Sequence, residues 1–245
     1  MDNHYDETAF FEKYSQMSRS TEGLTGAGEW QTLERLLPNF KEKTVLDLGC
    51  GYGWHCKYAA DHGATKVIGI DLSPKMLAEA VKRNADPKID YRQGDISAAA
   101  FAKDTFDIVF SSLAFHYLPD WPAMVKRITS YLKPGGTLLF SVEHPVFTAA
   151  GSQQWEYDGQ GQIRHFPVDR YFCEGVRQAD FLGETVTKYH RTLTTYLETL
   201  LQNGFSLNHL VEPTPPAELL SLPGMKDELR RPMMLIISAE KKQEV

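Results

Sequence analysis

A run of apolar residues leads directly into three glycines at alternate positions. The segment Val45–Gly53 reads VLDLGCGYG, with glycine at positions 49, 51 and 53. Glycine tolerates positive φ and has no side chain, so the backbone of such a loop can approach a ligand closely. A helix beginning after the loop would direct its unpaired N–H groups into the same space. The segment therefore predicts a ligand-binding turn between a strand and a helix.

A carboxylate stands where it could complete this site. A second apolar stretch, Lys66–Ile70, ends at Asp71, which follows Gly51 by 20 positions (71 − 51). An acidic residue at the end of the second strand can bind both hydroxyls of a ribose. The glycine spacing is G-x-G-x-G, whereas loops that hold the pyrophosphate of a dinucleotide typically read G-x-G-x-x-G. The combination resembles the cofactor loop of class I S-adenosylmethionine (SAM)-dependent methyltransferases.

This resemblance implies a set of cofactor-binding residues at the carboxyl ends of the strands. Asp71 would bind the ribose, and Asp47 with the loop backbone would hold the amino group of the methionine part. Leu72 and Met76 would line the adenine, while Asp95 would accept a hydrogen bond from its amino group. The full set implied for the core is Asp47, Gly49, Cys50, Gly51, Gly53, Asp71, Leu72, Met76, Asp95, Ile96 and Ser111.

Other interpretations of some of these residues stay open. Asp71 could be only a favourable charge at a helix N-terminus, and Asp95 could belong to an ordinary Gly-Asp turn. The methionine carboxylate needs a cation or oriented donors, for which Arg19 and Tyr14 in the N-terminal segment are candidates. The alternative is a surface arginine and a core tyrosine.

Methyl transfer from a sulfonium is an in-line displacement, so the protein must mainly hold donor and acceptor in position and exclude water. A general base is needed only where the acceptor is protonated. Three histidines are candidate catalytic residues because of their positions near the expected site. The first follows strand four, the second follows strand five, and the third ends the variable segment. They are His116, His144 and His190. Each could instead serve only in packing or in bonding the backbone.

Composition limits the partners of the chain. It has 245 residues, 42% hydrophobic and 24% charged, with a formal net charge of −6. No basic block stands out, so a nucleic-acid partner is disfavoured. The cysteines at 50, 56 and 173 lack metal-ligand spacing, so we expect no metal site and reduced thiols in a cytoplasmic protein. No apolar run has membrane-spanning length and the first residues show no charged-then-apolar leader pattern, so no membrane association is expected.

Strand and helix patterns alternate from residue 44 onwards, which predicts an α/β fold with a mostly parallel sheet and helices on both faces. Ser73-Pro74 is typical of a helix start. A fifth strand is expected over Thr137–Val142, after a turn at 133–136, and a last strand over Met233–Ala239. The resemblance implies seven strands in the order 3-2-1-4-5-7-6, with the seventh antiparallel, in a Rossmann-like sheet.

We expect one domain over residues 1–245, in four parts. Residues 1–40 form a helical cap, 44–142 the cofactor-binding core, 143–190 a variable substrate cover, and 191–245 the C-terminal helix and strands. Segment 143–190 is rich in aromatic residues and glycines, and so long an insertion is usually a lid or binding element. The alternative is a cap used for dimerisation, and either a monomer or a homodimer is compatible with the sequence.

The function predicted is methyl transfer from SAM to an O, N or C atom of a small-molecule acceptor, with S-adenosylhomocysteine (SAH) as product. An RNA- or protein-directed methyltransferase is a second hypothesis. It is disfavoured by the acidic charge and by the segment Ser111–Ala114, which lacks an Asn-Pro-Pro-Tyr-type motif for flipped bases. A third is a protein that binds SAM without catalysis. A nicotinamide oxidoreductase fits the glycine spacing less well.

Overall fold

The structure, a computed structural model, describes residues 4–243, in which strands and helices alternate from residue 44. The strands are β1 (Thr44–Leu48), β2 (Lys66–Asp71), β3 (Ile89–Gln93), β4 (Phe106–Ser112), β5 (Leu132–Glu143), β6 (Glu156–Tyr157), β7 (Ile163–His165), β8 (Gly175–Phe181), β9 (Glu184–His190), β10 (Phe205–Val211) and β11 (Met234–Lys241). The α-helices are α1 (Thr8–Ser15), α2 (Ser18–Thr21), α3 (Trp30–Glu34), α4 (Trp54–Asp61), α5 (Pro74–Asn84), α6 (Trp121–Tyr131), α7 (Pro145–Thr148) and α8 (Leu193–Gln202).

Seven strands form one central sheet in the order β10-β11-β5-β4-β1-β2-β3. Strand β11 runs antiparallel to both of its neighbours, β5 and β10, while the other pairs are parallel. Within this sheet β10 and β11 are the sixth and seventh strands. The predicted fold class and strand order, including the antiparallel seventh strand, are therefore confirmed.

Strand β1 contributes to the hydrophobic clusters on both faces of the sheet, because alternate residues along a strand face opposite sides. Leu46 and Leu48 pack into the cluster that contains Trp121, on one face. Val45 packs with Cys56 on the other face. After β1 the chain forms β2 and β3 on one side of it, and then crosses back to form β4 on its other side. The crevice of an open α/β sheet lies at such a reversal, outside the carboxyl ends of the strands.

Side-chain caps fix where the helices around this crevice begin. The Ser73 hydroxyl accepts the N–H of Met76 at 3.2 Å, with Pro74 as the first residue of α5, as the sequence predicts. The Asp120 carboxylate accepts the N–H of Ala123 at 2.9 Å and starts α6 in the same way. Each cap satisfies an N–H group that the first helical turn cannot.

Strand β5 begins earlier than predicted. It was expected over Thr137–Val142 but runs from Leu132 to Glu143. Leu132 is fully buried and pairs with Phe106, and the register then shifts before Thr137 pairs with Ile108. The glycine-rich turn is thus accommodated as an irregularity within the strand, because Leu132 belongs to the core.

Residues 143–190, expected to be irregular, contain the short helix α7 and two β-hairpins, β6–β7 and β8–β9. The β8–β9 hairpin pairs without interruption from Gly175–His190 to Phe181–Glu184. Its buried face, at Ala179 and Val186, packs against Phe10 of α1. The N-terminal segment and this hairpin together cover the carboxyl edge of the sheet. Within residues 4–243, no helix has the length and apolar character needed to cross a membrane.

Candidate active site

A cavity of about 420 Å³ lies between the carboxyl ends of the central strands and the cover formed by the N-terminal segment and the β8–β9 hairpin. Ten of the residues predicted from sequence line it. They are Tyr14, Arg19, Gly49, Gly51, Asp71, Leu72, Met76, Asp95, Ile96 and His116. Six predicted residues do not line it, namely Asp47, Cys50, Gly53, Ser111, His144 and His190. The structure thus brings most of the predicted set to one site.

The glycine loop is shaped so that its backbone forms the cavity wall. Gly49 has φ +81°, and a Cβ there would lie 2.5 Å from the Cβ of Ala114. Gly51 has φ +53°. The N–H groups of Gly49 and Cys50 both donate to the carbonyl of Ile70, at 2.8 and 2.9 Å. Side chains at the two glycines would strain the turn or fill the space beside it, so the loop fits a ligand that approaches the backbone.

The Asp71 carboxylate joins the glycine loop to the start of α5. Its Oδ2 accepts the N–H of Gly51 at 2.8 Å, and its Oδ1 accepts the N–H of Ser73 at 2.9 Å. Burial raises the pKa of this carboxyl above its ordinary value, against the effect of those hydrogen bonds. A carboxylate oxygen can accept more than one hydrogen bond, so Asp71 retains the capacity to bind hydroxyl groups in the cavity.

Asp47 lies behind the glycine loop, on the side away from the cavity. It is 2% exposed, and its Oδ2 accepts a hydrogen bond from the Cys56 thiol at 3.3 Å. Its other oxygen, Oδ1, has no hydrogen-bond partner among the described residues. Burial raises the pKa of Asp47 to about 7. The Cys50 side chain is also buried behind the loop, and a Cβ on Gly69 would lie only 3.0 Å from its sulfur.

Two further predicted residues shape the site without reaching it. Gly53 has φ +75° and is the N-cap residue of α4. The Ser111 hydroxyl is buried and donates to the carbonyl of Leu48 at 2.7 Å, which ties the end of β4 to β1. Ser112 and Leu113, the next residues along the chain, line the cavity instead.

Asp95 and its neighbours Gly94 and Ile96 form another part of the cavity wall. Oδ1 of Asp95 accepts the backbone N–H and the hydroxyl of Ser97, at 2.8 and 2.6 Å. This is the turn geometry that an Asp-X-Ser sequence favours. The side chain still lines the cavity, together with Leu72 and Met76 from the β2–α5 connection. Apolar side chains facing a carboxylate are suited to a flat, partly polar ring.

Arg19 is held at the wall by Glu29, a residue that the sequence prediction missed. Its Nη2 donates to both carboxylate oxygens of Glu29, at 2.8 and 2.9 Å. Although burial lowers the pKa of Arg19, Glu29 and Tyr14 raise it above its ordinary value. Tyr14 also lines the cavity. The guanidinium is therefore a fixed positive charge at this place.

Among the three candidate histidines, His116 lines the cavity. Its Nδ1 accepts the backbone N–H of Glu143 at 3.4 Å. Burial lowers the pKa of His116 to about 4, so the ring is neutral near pH 7. A neutral imidazole that accepts at Nδ1 carries its proton on Nε2.

His144 and His190 bond to the protein outside the cavity. Nδ1 of His144 accepts the N–H of Val146 at 3.0 Å and caps α7, and its Nε2 lies 2.8 Å from a carboxylate oxygen of Glu212. His190 is fully buried, with Nε2 donating to the carbonyl of Tyr171 at 2.8 Å and Nδ1 accepting from Thr148 at 2.7 Å. Burial lowers the pKa of both histidines.

The rest of the cavity is built by residues that the sequence prediction missed. Tyr5 and Tyr117 face each other, with their hydroxyl oxygens 3.5 Å apart. Glu143, Phe181 and Tyr189 line the same end. For Glu143 a signal existed, since it ends β5 directly before the predicted His144. Within residues 4–243, no group of three or more His, Cys, Asp or Glu side chains is placed to hold a metal ion.

Comparisons with known proteins agree with this geometry. A family model described as a methyltransferase domain matches residues 46–140. A Listeria monocytogenes protein, provisionally assigned to the SAM-dependent methyltransferases, has a solved structure that is 55% identical, with a TM-score of 0.86 over 90% of this chain and 100% of that chain. The SAM-dependent methyltransferase of Mesorhizobium loti is 42% identical, with a TM-score of 0.82 over 89% and 100%.

A curated relative, phosphoethanolamine N-methyltransferase 1 of Triticum aestivum, is 31% identical over 125 residues. These residues are 49% of this chain but 25% of the wheat protein, so the match covers only a quarter of that relative. The loop, the strand order and the nearly full-length relatives agree with one another. This chain belongs to the class I SAM-dependent methyltransferases, an enzyme family whose cofactor is SAM.

Proposed function

We propose that this protein transfers the methyl group of SAM to an O, N or C atom of a small-molecule acceptor inside the covered cavity. One observation carries the proposal: a single cavity is lined by the glycine loop, Asp71 and Asp95, and also by the aromatic side chains of Tyr5, Tyr117, Phe181 and Tyr189. Its volume of about 420 Å³ lies in the range typical of small-molecule sites. The wheat relative is also named for a small acceptor, phosphoethanolamine.

The cofactor is proposed to lie across the strand ends from Asp95 to the glycine loop. Asp71 would accept hydrogen bonds from the ribose hydroxyls with the lone pairs that Gly51 and Ser73 leave free. Asp95 would accept from the adenine amino group, and Leu72 and Met76 would pack on the ring. Support comes from the position of all these side chains on one continuous wall.

The methionine end is proposed to lie between the loop and the N-terminal segment. Arg19, fixed by Glu29, would pair with the carboxylate, and Tyr14 stands beside it on the cavity wall. Asp47 would act from behind the loop, through its hydrogen bond with the Cys56 thiol, rather than by direct contact. Cys50, Gly53 and Ser111 would likewise act by shaping the loop and the strand ends.

The bound cofactor supplies a methyl group already activated by the positive charge on sulfur. The chain must therefore mainly align the acceptor and exclude water. Of the candidate histidines, we propose His116 as the one that contacts the acceptor, since it alone of the three lines the cavity. His144 and His190 are proposed to position their surroundings.

The proposal is tested by incubating the purified protein with methyl-tritiated SAM and a fractionated cell extract, with a Gly49→Ala variant as control. After chromatographic removal of unreacted SAM, we expect a labelled product in the acid-soluble small-molecule fraction with the wild-type protein alone. Label in precipitable RNA or protein would contradict a small-molecule acceptor. Cofactor binding without any transfer would contradict an enzyme and favour a binding protein. Cytoplasmic location and a monomeric or homodimeric state stay predictions.

A further inference from the structure

A buried ion pair stands at the acceptor end of the cavity. Lys188 of β9 is 1% exposed, and its Nζ donates to Oε1 of Glu143 at 2.6 Å and to Oε1 of Gln153 at 2.9 Å. The side-chain amide of Gln153 closes the triangle by donating to Oε2 of Glu143 at 2.6 Å. Both carboxylate oxygens are thereby fixed in place, and the three residues come from three separate parts of the chain.

The members of this triangle differ in their access to the cavity. Glu143 lines it, whereas Lys188 and Gln153 are not among the residues of its wall. The lysine and the amide thus hold the carboxylate from behind. Each carboxylate oxygen has a second lone pair, so Glu143 can still accept hydrogen bonds from a molecule in the cavity.

Stability alone is a weak explanation for this arrangement. Desolvating two charges offsets most of their attraction, and well-packed apolar residues of similar size often serve a core as well or better. A carboxylate that stays ionised beside a binding cavity has a use that apolar residues would lack. Burial raises the pKa of Glu143, but His116, Lys188 and Gln153 outweigh burial and hold that pKa below its ordinary value.

The other residues at this end indicate the charge of the molecule that binds there. Phe181, Tyr117 and Tyr189 contribute aromatic surface. Among the described residues of the cavity wall, Arg19 is the only lysine or arginine, and in the proposed function it pairs with the carboxylate of the cofactor. An anionic acceptor would therefore meet a carboxylate and no free cation. An amine would find an acceptor for its N–H groups, and aromatic faces that attract positive charge.

We propose that Glu143, positioned by Lys188 and Gln153, binds the methyl acceptor, and that this acceptor is a small amine with an apolar or aromatic body. The inference rests on the proposed function, because it names the acceptor class of the same cavity. Glu143 is the binding residue in this proposal. Lys188 and Gln153 are positioning residues that act through it.

The chemistry balances without any further reagent. The amine enters as an ammonium ion and first releases a proton to solvent. The resulting neutral amine donates an N–H hydrogen bond to Glu143 and directs its nitrogen lone pair at the methyl carbon. The N–C bond forms as the C–S bond breaks, and the electron pair of that bond stays on sulfur. The positive charge passes from sulfur to nitrogen, where the fixed Glu143 carboxylate stabilises it as it develops. The methylated ammonium then releases its proton to solvent.

The test uses calorimetric titration of the SAH-loaded full-length protein with three probes of matched shape: phenethylamine, phenethyl alcohol and phenylacetate. We expect phenethylamine to bind at least tenfold more tightly than either other probe. Equal or tighter binding of phenylacetate, or no binding of phenethylamine, would overturn the proposal. Loss of SAH binding itself would instead overturn the proposed function, so the two failures are distinguishable.

Variants locate the effect at Glu143. Glu143→Gln should weaken phenethylamine binding at least tenfold and leave SAH affinity within twofold, while Glu240→Gln, at an exposed carboxylate, should change neither. Because Glu143→Gln leaves Lys188 buried without its anion and should destabilise the fold, the double variant Glu143→Gln/Lys188→Met removes both charges. Unchanged amine affinity in a folded double variant would overturn the proposal. Lys188→Gln should weaken amine binding at unchanged SAH affinity, which a purely structural role would not do.

Discussion

The two ends of the cavity are built in different ways. The cofactor end is formed by backbone: Gly49 and Gly51 have positive φ, and Asp71 ties their loop to the next helix through N–H groups. Most of it comes from residues 49–96, to which the N-terminal segment adds Tyr14 and Arg19. The acceptor end is formed by side chains that meet from distant segments, as when Lys188 reaches Glu143 across 45 residues of sequence. A site made by backbone leaves a sequence pattern, and one made by converging side chains does not.

The largest effect is expected where the backbone itself forms the wall. Gly49→Ala should weaken SAH binding by about 4 kcal/mol, roughly a thousandfold, since it combines backbone strain with a new methyl group 2.5 Å from Ala114. Gly161→Ala is the matched control, because Gly161 also has a positive φ of +77° but open space around it. Calorimetric titration with SAH measures both. Near-normal SAH binding by the Gly49 variant would contradict the claim that the backbone forms the cofactor end.

A second effect concerns the carboxyl behind the loop. Burial raises the pKa of Asp47 to about 7, above an unfolded value of about 3.9. Between these values the folded protein keeps a proton that the unfolded chain has released, so the contribution of Asp47 to stability is full below pH ~4 and is lost as the pH rises through 7.

Asp47→Asn cannot titrate and should escape this loss. The free energy of unfolding of the variant minus that of the wild type should therefore increase from pH 4 to pH 8, by about 4 kcal/mol at most. Urea unfolding of both proteins across this range measures the difference. A stability difference between them that does not change with pH would show that Asp47 is ionised throughout.

A third effect concerns the proposed ribose contact. Asp71→Ala should weaken SAH binding by roughly 2–4 kcal/mol, because it removes charge-assisted hydrogen bonds to two hydroxyls and one anchor of the loop. Asp95→Ala, on the same wall, should cost less, since Asp95 is proposed to accept one hydrogen bond from the cofactor and does not anchor the glycine loop. Titration with SAH compares the two variants. If the Asp95 variant loses more, the adenine side of the site dominates.

The smallest effect on the cofactor is expected from the cover. Phe181→Leu, in the β8–β9 hairpin, should leave the dissociation constant of SAH within twofold, because its ring packs on Phe10 and near Lys188 rather than on the loop. It should weaken phenethylamine binding in the titration described above. A large loss of SAH affinity would show that the cover belongs to the cofactor end.

The sequence predicted the sheet and the loop because both depend on local patterns. Alternating apolar strands, the Ser73-Pro74 helix start and the glycine spacing are all readable within short windows. His144 shows the limit of such local patterns. It follows β5, as predicted, but successive residues along a strand point to opposite sides. Glu143 therefore lines the cavity while His144 lies beside Glu212.

The residues of the acceptor end could not be predicted from the sequence for a second reason. No local pattern distinguishes Lys188, which is buried against a carboxylate, from a lysine on the exposed face of a hairpin. The segment that contains it was expected to be irregular, so neither its pairing with β8 nor its facing residues could be assigned. The pairing of β8 with β9 and the packing of this hairpin on Phe10 accompany the contact of Lys188 with Glu143, and neither was apparent from the sequence.

The central claim is that one end of the cavity binds the cofactor and the other the acceptor. Titration of SAH into the wild type, Asp71→Ala and the double variant Glu143→Gln/Lys188→Met tests it most directly. The account predicts that Asp71→Ala alone loses affinity, roughly 30-fold or more. A comparable loss in the double variant, or wild-type affinity in Asp71→Ala, would contradict the division of the cavity into two ends.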